Sequence, residues 1–269
     1  MKSVQELIRS LWIRRELVAI LVQRNLKIRY KGSVLGFFWS LASPVFFIVI
    51  YSTFLKLVTK GMPLPISTLV TGIIIWQFLS LCAHDSLAAI VGNVNLVKKT
   101  AFPRLILPLS TVLANLINFL MSGLVLLVFL AVTRANVQLS LLPLLPVVIL
   151  TQTALCLGLA AAVSSAHVFF RDTEHLLGHV ILAWLFLSPV LYPLERPLGL
   201  LAKLGAWSVP LYFLNPMAGL LAVYRMILVG EYPAVPPSWV GLSFAVAWLI
   251  LGGGVVLFQK LQPWFGDEL

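Results

Sequence analysis

The stretch Arg24–Trp39, RNLKIRYKGSVLGFFW, carries four basic side chains, Arg24, Lys27, Arg29 and Lys31, with Arg15 further back. Charge then stops: no Asp, Glu, Lys or Arg occurs from Ser33 to Leu55. Positive charge stacked against a long apolar run is the pattern of a helix anchored on the cytoplasmic side of a membrane, where basic groups meet anionic headgroups. The composition agrees. The 269 residues are 60% hydrophobic and 10% charged, with a mean hydropathy of +1.01. A soluble domain carries about 25% charged residues, so this chain lacks the polar surface to cover itself in water. The net charge of +10 does not indicate nucleic acid, because the basic groups flank apolar runs instead of forming a polar face or a known binding motif.

A helix needs about 20 mainly apolar residues to cross the hydrocarbon core. Six runs meet or approach that length, at roughly 34–57, 66–90, 105–132, 141–166, 177–192 and 239–259. The fifth is short and is expected to begin a few residues earlier. The alternation of a barrel strand is absent, and a helix satisfies its own backbone in lipid. With the N-terminus inside, thirteen Lys and Arg fall in cytoplasmic segments and six in outer ones, which sets the direction and places both termini in the cytoplasm. The expected fold is an all-α integral membrane domain of six spans, residues 32–269, preceded by a cytoplasmic amphipathic interface helix within residues 1–31.

Three segments do not span. Residues 3–23 repeat apolar groups at Val4, Leu7, Ile8, Leu11, Val18 and Leu21, with charges elsewhere, the pattern of a helix lying in the interface. The basic loop GNVNLVKKTAFPR, residues 92–104, suits a short helix starting at Asn93 or Asn95 and stopped before Pro103. The outer segment 193–238 contains PLGLLAKLGAW and LNPMAGLLAVYRMILVG. In the second, Asn215 fits an N-cap, Pro216 the first helical position and Gly230 the stop. A helix from Pro216 to Val229 is roughly 21 Å long at about 1.5 Å per residue. It is too short to cross and Arg225 interrupts it, so two short re-entrant outer helices are expected before the last span.

No GxxxxGK[ST], GxSxG, HExxH or GxGxxG occurs, so ATP is not expected to bind here through a P-loop. Cys82 and Cys156 lie inside apolar runs without CxxC spacing, which argues against a disulfide or zinc site. His175 and His179 have the spacing of two ligands on one helix face, but a solvated helix end explains them better without a third ligand. His84 and Asp85 fall in the last third of the second span, where a position near the inner headgroups is the favoured reading. Phe37, Pro44, Phe47 and Tyr51 share one face of the first span, with Trp184 and Tyr192 on the fifth. Aromatics at membrane edges form belts and midspan ones pack; sliding contact with sugar faces is the more specific alternative.

The block RNLKIRYKGSVLGFFWSLASPVFFIVIY, Arg24 to Tyr51, resembles the first span of type-2 ABC exporter permeases for polysaccharides. SPVLY at Ser188–Tyr192 and LNPMAG at Leu214–Gly219 resemble that family's fifth span and following outer segment. The family includes the transmembrane subunits for O-antigen, capsule and teichoic acid export. The resemblance implies a homodimer in the bacterial cytoplasmic membrane with two copies of a cytoplasmic ATPase. ATP and Mg would belong to that partner, and this chain would hold no cofactor. It implies a lipid-linked glycan as substrate, with Phe37, Phe47, Tyr51, Trp184 and Tyr192 along its path. Arg24, Lys27, Arg29 and Lys31 would meet the headgroup, and Asn95, Leu96, Lys98, Lys99, Thr100 and Arg104, with the N-terminal helix, would couple to the ATPase. A type-2 exporter of a small lipid or drug shares this architecture. A membrane-embedded transferase would need carboxylates near its spans, where Asp85 alone qualifies.

Overall fold

The computed structural model describes residues 6, 12–29, 31–33, 38–58, 66–99, 102–205 and 207–269. Its regular structure is entirely helical among those residues. The first described helix, α1, is Arg15–Arg29. Most of the expected amphipathic stretch before it lies outside the described residues. The helix runs unbroken through RNLKIR, and the chain turns at Lys31 and Gly32, where the φ of 77° suits glycine. The turn therefore falls at Lys31, the last of the basic residues.

Four helices are long and apolar enough to cross a membrane: α3 (Ile66–Val91), α5 (Ile106–Val132), α6 (Leu145–Phe169, led by a 3-10 turn Leu139–Leu144) and α11 (Pro237–Leu261, continued to Glu268). Each falls within a few residues of an expected span. The first expected span is occupied by α2, Trp39–Val58, whose 20 residues measure roughly 30 Å at about 1.5 Å per residue. The fifth is α7, Thr173–Leu187, only 15 residues, or roughly 22 Å. It starts earlier than the apolar run, as expected, but stops five residues short of Tyr192. Ser188 is extended at φ −102°, ψ 148°, the conformation a following proline imposes. Tyr192 is thus not on the same helix as Trp184.

The centre of the bundle is α3, buried along nearly its whole length. It packs on α5 and α6 most extensively, then on α7, α2 and α10 (Pro216–Leu228). The most extensive helix pair is α6 with α11. Glycine permits it: a Cβ on Gly158 would come within 2.5 Å of the Ile250 carbonyl, and one on Gly254 within 2.1 Å of the Gly158 carbonyl. Close backbone approach of this kind is how helices associate without a hydrophobic driving force. Some polar groups in the interior are paired between helices. Gln152 Nε2 donates to the Ile75 carbonyl at 2.9 Å, and Tyr224 Oη donates to Gln152 Oε1 at 2.8 Å. These two bonds tie α6 to α3 and to α10.

Two smaller apolar clusters close the ends. At the basic end, Leu21 of α1, Val97 of α4 (Val94–Lys99), Ile106, Val168, Phe258 and Phe265 pack together. At the opposite end, Leu194, Val209, Phe213, Ala218 and Ala222 do so. Segment 193–238 there contains two short helices where they were expected, α8 (Glu195–Ala202) and α10, with a five-residue helix, α9 (Ser208–Tyr212), between them. Asn215 caps α10 as its sequence position suggested, its Oδ1 accepting from Met217 N at 3.1 Å. Arg225 does not interrupt α10. The helix is buried on every side and continues through it.

Candidate functional site

At the basic end, α1 lies across α5. Two of its polar residues, Asn25 and Arg29, reach the spans. Asn25 Nδ2 donates to Ser110 Oγ at 3.3 Å. Arg29 Nη2 donates to Asn115 Oδ1 at 2.8 Å and to Asp85 Oδ2, and Asn115 Nδ2 donates to the same carboxylate oxygen at 2.8 Å. Arg29, Asp85 and Asn115 thus close a triangle over three helices, α1, α3 and α5. Among the described residues, Arg24 approaches its neighbour, Nη2 to Asn25 Oδ1 at 3.4 Å. Lys27 and Lys31 are exposed. Of the four basic groups expected at a headgroup, two stand free at the surface and two turn inward, which periodicity could not show. The last-third position of Asp85 was legible; its partner, 56 residues away, was not.

His84 keeps its ring on its own helix, Nδ1 lying 2.8 Å from the Ser80 carbonyl. His175 and His179 are exposed, and no group of three His, Cys, Asp or Glu side chains converges among the described residues. Cys82 and Cys156 are buried free thiols.

The short helix expected in the 92–104 loop is α4, Val94–Lys99. Asn93 precedes it; its Nδ2 donates back to the Ala89 carbonyl at 2.9 Å, and its own carbonyl accepts from Leu96 N and Val97 N at 2.9 and 3.0 Å. Val97 is buried and Leu96 packs beside it in the basic-end cluster, which leaves Asn95 and Lys98 facing outward. Thr100 and the side chain of Lys99 lie outside the described residues. Arg104 turns away from that face. It bonds the Gln262 carbonyl, and its guanidinium carbon sits 6.0 Å from the centroid of the Phe265 ring. The C-terminal turn of the chain, α12 (Phe265–Glu268), is thereby held against α4.

Among the aromatics, Phe37 and the side chain of Tyr51 lie outside the described residues, and Phe47 is half-buried on α2. Trp184 stands edge-on to Trp76 at 6.0 Å, and its Nε1 donates to Asn215 Oδ1 at 2.8 Å. Tyr192 Oη donates to the Phe186 carbonyl at 2.7 Å. Within one protomer α2 rests on α5 and α3, whereas α7 rests on α3 and α6. Among the described residues, no extensive contact joins α2 and α7, so the two ring sets are not brought side by side.

Trp184 and Tyr192 instead belong to a knot at the end of α7. Asn215 Nδ2 donates to Ser188 Oγ at 2.9 Å and to the Leu187 carbonyl at 3.3 Å. Arg225, 2% exposed, donates Nη1 to the Tyr192 carbonyl and Nη2 to the Val190 carbonyl, both at 3.0 Å. Gly72 of α3 makes the room: a Cβ there would meet the Val190 carbonyl at 2.5 Å and Arg225 Nη2 at 2.9 Å. Ser243 of α11 completes the knot, its Oγ donating to the Phe213 and Asn215 carbonyls at 2.7 and 3.1 Å. The segments SPVLY and LNPMAG, far apart in sequence, are two sides of one hydrogen-bonded joint. Glu231, just past α10, accepts from Thr68 Oγ1 on α3.

Comparison with known proteins gives this architecture a family. The sequence pattern of the ABC-2 type transporter family matches residues 16–229. An O-antigen export system permease protein, RfbA, of Myxococcus xanthus is 34% identical over 264 residues, covering 98% of this chain and 99% of its own. A protein of the same description from Klebsiella pneumoniae is 28% identical over 256 residues, covering 94% of this chain and 95% of its own.

Proposed function

This chain belongs to the ABC-2 type transporter family, and from that membership we propose that it is the transmembrane subunit of a transporter exporting a lipid-linked polysaccharide such as O-antigen. The observation that carries the reading is similarity over almost the full length of both chains to proteins described as O-antigen export permeases. On this reading two copies of the chain pair in the bacterial cytoplasmic membrane, each crossing six times with both termini inside. α2 and α7 serve as the first and fifth crossings. The short α7 leaves part of the bilayer thickness to the buried α10 and its neighbours, which flank the exit.

ATP hydrolysis resides in a separate cytoplasmic ATPase, which holds ATP and Mg, because the chain contains no P-loop. The outward-facing Asn95 and Lys98 of α4, with Leu96, Lys99 and Thr100 and the nearby α1, form the docking face. Arg104 supports that face from behind, through the C-terminal turn. Lys27 and Lys31 meet lipid headgroups at the intake side, with Arg24 and Arg29 behind them. Phe37, Phe47, Tyr51, Trp184 and Tyr192 line the path. The two ring sets meet across the dimer, because α2 and α7 make no extensive contact among the described residues of one protomer.

Removal of the chain from its cell is the test. Surface glycan should disappear while lipid-linked glycan accumulates inside, identifiable by chemical analysis, and the wild-type chain should restore export. Unchanged surface glycan with no internal accumulation overturns the reading.

A further inference from the structure

Arg24 and Arg29 both line a hollow of about 550 Å³ between α1, the lower part of α3 and the start of α5. Its other polar walls are Asn25, His84, Asp85, Asn93 and Thr111. The volume lies within the roughly 300–1,000 Å³ common for small-molecule sites. Two guanidiniums face one carboxylate here, so the walls carry an excess of positive charge. The two are held differently. Arg29 is bonded by Asp85 and Asn115. Among the described residues, Arg24 has a long contact with the adjacent Asn25, and its Nε is buried without a hydrogen-bond partner. A buried N–H of a charged group left unpaired is unfavourable, and an anionic acceptor relieves it. Arg24 also lines a second hollow of about 380 Å³ with Gln23, Lys27 and Lys31, so basic groups continue from the surface lysines to the inner chamber.

We infer that the inner hollow is a phosphate site in which Asp85 is a built-in stand-in for the ligand: Arg24 supplies standing positive charge, and Arg29 is released to the phosphate when it displaces the Asp85 carboxylate. A phosphate brings more charge and more acceptor oxygens than a carboxylate and accepts bidentately from guanidinium. It can therefore compete for Arg29, whereas a neutral headgroup cannot. The Arg29–Asp85 pair is suited to exchange because it is not sealed: the side chains are 27% and 36% exposed, and exposed pairs contribute little to stability. Exchange also has a mechanical consequence, since Arg29 is one of the ties between α1 and the spans. An internal competitor keeps the site from holding its anion too tightly to pass it on. The phosphate's source as the head of the exported lipid rests on the proposed function; the site's chemistry does not.

The test uses the purified full chain in neutral detergent, titrated with a fluorescent short-chain isoprenyl phosphate and, separately, with inorganic pyrophosphate as competitor. Arg24→Gln and Arg29→Gln should each weaken binding about tenfold, the loss of one charged hydrogen-bond partner. Asp85→Asn should tighten it severalfold, by removal of the competing charge. Melting temperature, read in parallel, separates binding from folding. Competition by pyrophosphate assigns recognition to the phosphate alone, and its failure assigns it to phosphate carried on a lipid; either outcome supports the site. If Asp85→Asn weakens binding in step with Arg29→Gln, or Arg24→Gln binds as wild type with unchanged melting, the inference is overturned. Export is not read in this assay, so its outcome and that of the proposed function are independent.

Discussion

Two arginines hold the two ends of this molecule, and they are held by different kinds of partner. Arg29, at the basic end, is bonded by the side chains of Asp85 and Asn115 and is partly open to solvent. Arg225, at the opposite end, is 2% exposed and donates to two backbone carbonyls, Val190 and Tyr192. A carboxylate can swing away, take a proton or yield to another anion. A carbonyl in a proline-flanked turn moves only if the chain moves. The same side-chain type therefore makes an exchangeable joint at one end and a fixed one at the other. The fixed joint also binds the end of α7 to α10 and α3, so the short helix keeps its position without the length to span alone.

The sharpest way to break this contrast is to remove the fixed joint. Arg225→Met keeps the length and the apolar stem but leaves the Val190 and Tyr192 carbonyls without donors in a buried site. Each unpaired group costs about 1–3 kcal/mol, so a total of roughly 2–6 kcal/mol is expected, seen as lower yield and earlier unfolding in a denaturing-detergent titration. A variant as stable as wild type would show that water satisfies the turn and that the joint is not fixed.

A smaller loss is expected from the other side of the same joint. Gly72→Ala places a methyl group 2.5 Å from the Val190 carbonyl and 2.9 Å from Arg225 Nη2, and overpacking of this kind costs about 1–3 kcal/mol. In combination with Arg225→Met the two losses should not add, because both act on one contact. Additivity in that double-variant cycle would show that Gly72 matters for helix packing and not for the arginine.

The least costly change should be at the exchangeable joint. Asp85→Asn removes a partly exposed ion pair while keeping a hydrogen-bonding amide, for a loss of at most about 1 kcal/mol. Its stability should respond less to added salt than that of the wild type. A loss as large as that of Arg225→Met would place both arginines in the same structural class.

The comparison bears on how much could be read from residues alone. The cap Asn215, the following Pro216 and the stop at Gly230 each act on the backbone within a few positions, and the observed α10 begins and ends within a residue of where they put it. The helix in the 92–104 loop was legible for the same reason. Arg225 was misjudged as an interruption. A charged residue in an apolar run reads as a break until the carbonyls that receive it are known, and those lie 33 and 35 residues earlier in the chain. Pro189 was visible, yet the apolar character of SPVLY outweighed it, and the fifth span was drawn too far.

Hydropathy and the placement of Lys and Arg determined by themselves that this is a helical membrane protein and where its long helices run. Transfer into lipid is a property of each residue summed over a window, and it needs no knowledge of neighbours in space. Which polar residues are joints, and between which helices, was decided only by the tertiary structure. Arg29 and Asp85, Trp184 and Asn215, or Gly72 and Arg225 acquire a role from a partner that sequence separation hides. In an interior without water a polar group must find its partner wherever the packing of helices puts one.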